Sequence, residues 1–298
     1  MASSFDEFLQ QAWADHADQP DAVATRLRTN TPAPQTAEQL AALVRFVVHL
    51  CGEHLGAFDD GRWRLTALAG HPLANDMVQS ALRVGLASLT LAETGVADRR
   101  SFSVEEQVRT EAAAATICVG RHNTERALAL LRAARQRVAA MPDAAMPDAA
   151  AALHRPLGVA CHNMAWVLHD RGDARSAEET AAMLECAGGS KQHWSKAGTW
   201  LEIERGDYDL ARCHLAAGHL DEALNHAAQC LATCTQNDAP PYEHFFAHEA
   251  LARVQHARGD RAAGAGHVAE ARAAFAQLDA GDQDACRPSL DTLRVLGR

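Results

Sequence analysis

Apolar residues recur along the sequence at helical intervals. Leu40, Leu43, Val44, Val47 and Leu50 fall on one face of a 3.6-residue turn, and Val78, Ala81, Leu82, Gly85, Leu86 and Leu89 do so again. They predict two or three amphipathic helices within residues 1–103, with AFDDGRW (57–63) as a loop, because Gly and Asp cluster there. From residue 104 the pattern becomes regular: an apolar helix, a short turn with Gly-Asp or Gly-His, then a second helix opening on a small residue. The clearest copy is LARCHLAAGHLDEALNHAAQCL (210–231). Others are LARVQHARGDRAAGAGHVAEARAAF (251–275), MAWVLHDRGDARSAEETAAML (164–184) and AATICVGRHNTERALALLRAA (114–134). Residues 282–298 carry Leu290, Leu293 and Leu296 and predict a closing helix.

This unit resembles the tetratricopeptide repeat, a helix-turn-helix with small residues where its two helices touch and an acidic or Gly-rich turn between them. The resemblance covers residues 104–281. The first small residues of the second helices are Ala127, Ala177, Ala223 and Gly264, at intervals of 50, 46 and 41 residues, against roughly 34 in the family. The expected fold is all-α: a right-handed α-solenoid of such repeats behind a helical N-terminal extension or degenerate repeats, with 282–298 as cap.

The segment 141–150 reads MPDAAMPDAA, one pentapeptide written twice. Without one copy the first interval falls to about 45, in line with its neighbours. Pro142 and Pro147 oppose continuation of a helix, and Asp143 and Asp148 suit a helix start, so the segment is predicted to be an inter-repeat spacer. Gly188-Gly189-Ser190-Lys191 lacks the spacing of a phosphate loop and reads as another inter-repeat turn.

Composition narrows the function classes. Aromatics make up only 5% of a sequence that is 48% hydrophobic, so the core is built of Ala, Leu and Val, as closely packed helices require. The Arg and Ala bias resembles that of a high-GC genome and leads to the expectation of a bacterial source. A net charge of −10 opposes general binding to nucleic acid or an anionic membrane. The N-terminus has no basic n-region followed by an apolar stretch, and the run 40–50 is broken by Arg45 and His49, so a cytoplasmic protein without a membrane span is expected. The eight cysteines lack CxxC pairs and are expected as buried small apolar residues.

No set of residues amounts to a catalytic constellation, and no cofactor is implied. His226, Cys230 and Cys234 stand at i+4 steps and make a three-donor ridge, the basis of an alternative reading as a metal-dependent sensor or enzyme. His244 and His248 lack the glutamate of HExxH, and His248 and His214 are expected as core or half-buried imidazoles. Arg121, Arg126, Arg132, Arg135 and Arg137 read as a solvated helix face.

The resemblance implies that first helices of the repeats present their exposed residues to a partner protein or peptide. Projected onto this sequence, that face holds Arg109, then His162, Trp166 and His169, then Arg205, Tyr208 and Arg212, then Glu249, Arg253 and His256. Its cations on an acidic protein suggest a groove for an acidic segment or a C-terminal carboxylate, which Arg grips with two N–H donors. The expected role is a protein-interaction scaffold or peptide-sensing module; a homo-oligomer is compatible with this reading.

Overall fold

Small polar residues set the helix starts. Ser4, Ser103, Ser176 and Thr199 each stand three residues before a glutamate (Glu7, Glu106, Glu179 and Glu202) and close a reciprocal capping box with it, satisfying N–H groups that a first turn leaves free. The computed structural model describes residues 4–141 and 146–296, except for the side chains of 146–150 and 295–296. Among these residues the fold is all-α, with no strand. The helices are α1 Phe5–Asp15, α2 Pro20–Thr29, α3 Ala37–His49, α4 Phe58–Leu68, α5 Asp76–Thr94, α6 Val104–Gly120 and α7 Thr124–Ala139. There follow α8 Met146–His169, α9 Ala177–Ala197, α10 Trp200–Ala216, α11 Leu220–Gln236, α12 Pro241–Arg258, α13 Arg261–Phe275 and α14 Ala280–Leu296. A π-helical segment, Leu50–Leu55, extends α3, and a 3₁₀ turn, Gly172–Ala174, precedes α9. No helix among the described residues is long and apolar enough to cross a membrane.

The protein forms two compact units, 1–160 and 161–298. In the first, α3, α5 and α6 bury Leu40, Phe46, Leu89 and Ile117 together with Leu50 and Leu65. Five α-helices and the π segment occupy residues 1–103, more than the two or three predicted. AFDDGRW is not a loop: α4 begins at Phe58, and Gly61 sits where a Cβ would come within 2.9 Å of Leu89 and 3.0 Å of Cys51. That glycine serves helix contact, which looks like turn composition in a sequence. Two of the α7 arginines do more than line a solvated face, while Arg132 is exposed. Arg126 donates to the Ala92 and Glu93 carbonyls at 2.7 and 3.0 Å, at the C-terminal end of α5, and Arg137 clamps the buried Glu111 at 3.0 Å.

In the second unit, α10 packs on α9 and α11, α12 on α11 and α13, and α14 on α12 and α13. The core is mostly small: Ala211, Ala223, Ala227 and Ala250 with Leu251 and Val254, then Phe245, Val268 and Ala271 with Cys286, Leu290 and Leu293 of the closing helix. Small residues recur four positions into the second helices: Ala127 in α7, Ala223 in α11 and Gly264 in α13 are all buried. The expected fourth member, Ala177, opens α9 and is exposed; the matching position is Thr180, half-buried.

The second MPDAA copy is helical, not spacer: α8 starts at Met146 and carries Pro147 in its first turn, where the missing N–H is no loss. Residues 142–145 of the repeat, with Pro142 and Asp143, lie outside the described residues. Gly188, Gly189 and Lys191 lie inside α9, and Lys191 reaches Asp207 at 2.6 Å. All eight cysteines are buried, and none is in a disulfide.

Candidate functional site

Along α10 the residues Glu204, Arg205, Tyr208, Asp209 and Arg212 form one stripe at helical spacing. It faces α8 on one side and α12 on the other. From α8, His162 Nδ1 meets Asp209 Oδ2 at 2.6 Å and the Trp166 indole Nε1–H donates to Asp209 Oδ1 at 2.8 Å. From α12, Glu243 accepts Arg205 Nη2 at 2.5 Å and Nε at 3.3 Å. Glu249 accepts Arg212 Nη1 at 3.3 Å and the Tyr208 hydroxyl at 3.2 Å, and pairs with Arg253. The Arg212 guanidinium stands 5.6 Å from the Trp166 ring and 5.7 Å from Tyr208, a cation–π arrangement that holds both rings.

Between these helices lies a cavity of about 310 Å³ lined by His162, Trp166, Glu204, Arg205, Tyr208, Asp209, Tyr242, Glu243 and Phe246. Tyr208 and Tyr242 each meet Phe246 edge to face, at 5.5 and 5.1 Å. His162 and Arg205 keep 44% and 53% of their side chains exposed, so both are open to a ligand.

Burial and neighbouring charge shift two titratable groups of the site, Glu204 and His162. Burial pushes the Glu204 carboxyl up to about 7, with Glu243 nearby adding to the rise and the Cys230 and Cys234 thiols opposing it. Its Oε1 accepts those thiols at 2.7 and 3.4 Å, and its buried Oε2 has no partner. For His162, burial pulls the imidazole down, but the Asp209 hydrogen bond and charge outweigh it and the net shift is upward.

Of the residues projected from the sequence, His162, Trp166, Arg205 and Tyr208 share this cavity, while His169, Arg212 and Arg253 line a neighbouring depression of about 270 Å³. Two readings need correction. Glu249 is fully buried, not a surface contact, because Arg212, Arg253 and Tyr208 enclose it. The arginines are not an uncompensated positive stripe, since Glu243 and Glu249 already pair with them. Arg109 lies in the first unit, paired with Glu105 at 3.5 Å, and His256 is an exposed residue near the end of α12. The sequence pattern did not single out Glu204, Asp209, Tyr242, Glu243 or Phe246. Tyr242 and Phe246 carried a signal, an aromatic pair at i,i+4 on a first helix.

The His226, Cys230 and Cys234 ridge is also not what forms. His226 turns to Asp207 at 2.8 Å, and Glu204 joins the two thiols, three buried groups with donor atoms within 4.8 Å of one another. His248 and His214 are half-buried imidazoles, as expected, meeting His267 at 3.1 Å and His219 at 3.4 Å. A second three-donor group, His16, His49 and His54, forms in the first unit.

No protein-family model, curated protein or solved structure matches this sequence.

Proposed function

We propose that the second unit is a peptide-recognition module of the tetratricopeptide type, in which paired helices continue as a right-handed solenoid and first helices read a segment of a partner protein. The reading rests on the aromatic-walled cavity between α8, α10 and α12, with half-exposed His162 and Arg205 among its lining residues. An apolar side group of the partner packs against Trp166, Tyr208, Tyr242 and Phe246. A carboxylate beside it, from an acidic segment or the partner's C-terminus, accepts N–H donors from Arg205, which uses only Nε and Nη2 on Glu243. Glu204 favours the same ligand: near neutral pH its carboxyl is in part protonated, which lessens the negative charge beside an incoming carboxylate. The role is that of a scaffold, without chemistry of its own.

Selection from a library of random peptides displayed with free C-termini tests this. The expected outcome is enrichment of peptides that combine an apolar anchor with a neighbouring carboxylate, abolished in Trp166→Ala. Enrichment that ignores Trp166→Ala, or none at all, contradicts the proposal.

A further inference from the structure

His16, His49 and His54 come from three places in the sequence and converge at one end of the first unit. His16 caps the C-terminus of α1, His49 ends α3, and His54 lies in the π-helical segment. The π segment is what allows the meeting. In an α-helix, residues five apart are rotated by about 500°, leaving them about 140° apart around the axis. The i→i+5 hydrogen bonding of a π-helix widens the turn and brings them back to nearly the same face, and such segments concentrate at functional sites. The rings stand at centroid separations of 4.8 Å (His16–His49), 4.7 Å (His16–His54) and 4.8 Å (His49–His54). All three are half-buried, and the Trp13 indole covers His49 at 4.9 Å and His16 at 5.2 Å.

The hydrogen bonds fix which nitrogens face inward. His16 Nδ1 lies 2.6 Å from the Trp13 carbonyl oxygen, an acceptor only, so Nδ1 carries the proton and Nε2 keeps its lone pair. His49 Nδ1 lies 2.7 Å from Glu53 Oε1, which sets the same tautomer. His49 Nε2 in turn lies 3.1 Å from His54 Nε2, close to the separation of about 3.3 Å that two imidazole nitrogens have when both bind one tetrahedral ion at 2.0–2.1 Å. A carboxylate or carbonyl holding Nδ1–H while Nε2 points to a common centre is the arrangement that orients histidine ligands of a metal and raises their basicity.

From this geometry we infer that His16, His49 and His54 form a binding site for a divalent borderline transition metal of the zinc class, with a fourth coordination position left to water. One ring nitrogen of each residue already lies within 4.8 Å of the others. Neutral imidazoles select zinc, cobalt, nickel or copper over magnesium or calcium, which prefer oxygen. The proton that His54 Nε2 donates to His49 Nε2 is exchanged through solvent for one on His54 Nδ1 when the ion enters, so the ring stays neutral and Nε2 offers its lone pair. The site belongs to the first unit and is independent of the peptide reading.

The test is titration of the full-length protein, first dialysed against chelator, with cobalt(II) chloride, read by visible absorption. The expected result is saturation at one equivalent, with the d–d bands of a tetrahedral nitrogen and oxygen site, no thiolate charge-transfer band, and displacement by zinc. His49→Ala and His54→Ala should each weaken binding by at least about tenfold, and Glu53→Gln, which removes no ligand, by about 10–100-fold. Cys230→Ser combined with Cys234→Ser, which disables the other three-donor group, should leave the titration unchanged. Absence of the bands in the native protein overturns the assignment, as does a charge-transfer band lost in the cysteine variant. Unchanged affinity in Glu53→Gln also overturns it, and that variant reports even where a histidine variant fails to fold.

Discussion

The Asp209 carboxylate anchors the Trp166 indole: Oδ1 accepts the Nε1–H at 2.8 Å while Oδ2 takes His162 at 2.6 Å, on a side chain only 4% exposed. One buried acid therefore sets the orientation of two residues lining the cavity. Asp209→Ala removes both bonds and leaves the indole N–H without its partner. Chemical denaturation should show a loss of about 2–4 kcal/mol, the range for charged hydrogen bonds broken inside a fold. A loss below about 0.5 kcal/mol would mean that the pairing contributes nothing measurable.

Helix contact in the first unit depends on a missing side chain. A Cβ at Gly85 would stand 2.8 Å from Val48 Cγ2 and 3.1 Å from Leu65 Cδ1, both in the core. Gly85→Ala gains helix propensity, yet should destabilise by about 1–3 kcal/mol, because overpacking outweighs the roughly 1 kcal/mol that alanine adds in an exposed helix. A rise in melting temperature would show that α3 and α5 part without strain.

Glu204 makes stability fall as pH rises from acid to neutral. Its folded pKa of about 7 lies above its ordinary value of 4.5, so its contribution is fully present below about pH 4.5 and is lost as pH rises through about 7. Glu204→Gln has no such titration. The unfolding free energy of the variant relative to the native protein should therefore rise by about 2–3 kcal/mol between pH 5 and pH 8. Histidines that titrate in the same range cancel in this difference. A difference that stays constant with pH would show Glu204 to be ionised at ordinary acidity.

Much of the helical framework was legible because its signals are local. The spacing of Leu40 to Leu50 and the turn at Gly218 each act within a few residues. The site was legible where a residue announces itself: Trp166 and Tyr208 are rare aromatics, Arg205 is a cation on an acidic protein, and His162 stands on the same projected face as Trp166. Glu204 and Asp209 were not, because acids spaced along a helix resemble a solvated face until burial and a partner on another helix give them meaning. The spacing of His49 and His54 was silent for a different reason. Five residues apart in an α-helix never meet, and nothing in LCGEHL marks the wider turn.

Under the proposed function, the cavity beside Arg205 holds an acidic segment through charge and an apolar anchor together. The most direct measurement is fluorescence anisotropy with a labelled peptide from the library selection, titrated with the native protein, Arg205→Ala and Arg294→Ala at pH 6 and pH 8. Arg294 is also half-exposed and paired with an acid, Asp291, but it lies on the closing helix outside the cavity. Arg205→Ala should weaken binding by about 10- to 100-fold, and Arg294→Ala should change it less than about twofold. The native protein should also bind more weakly at pH 8, because His162 and Glu204 both lose protons as pH rises. Equal effects of the two arginine substitutions, or tighter binding at pH 8, would contradict recognition of a carboxylate in this cavity.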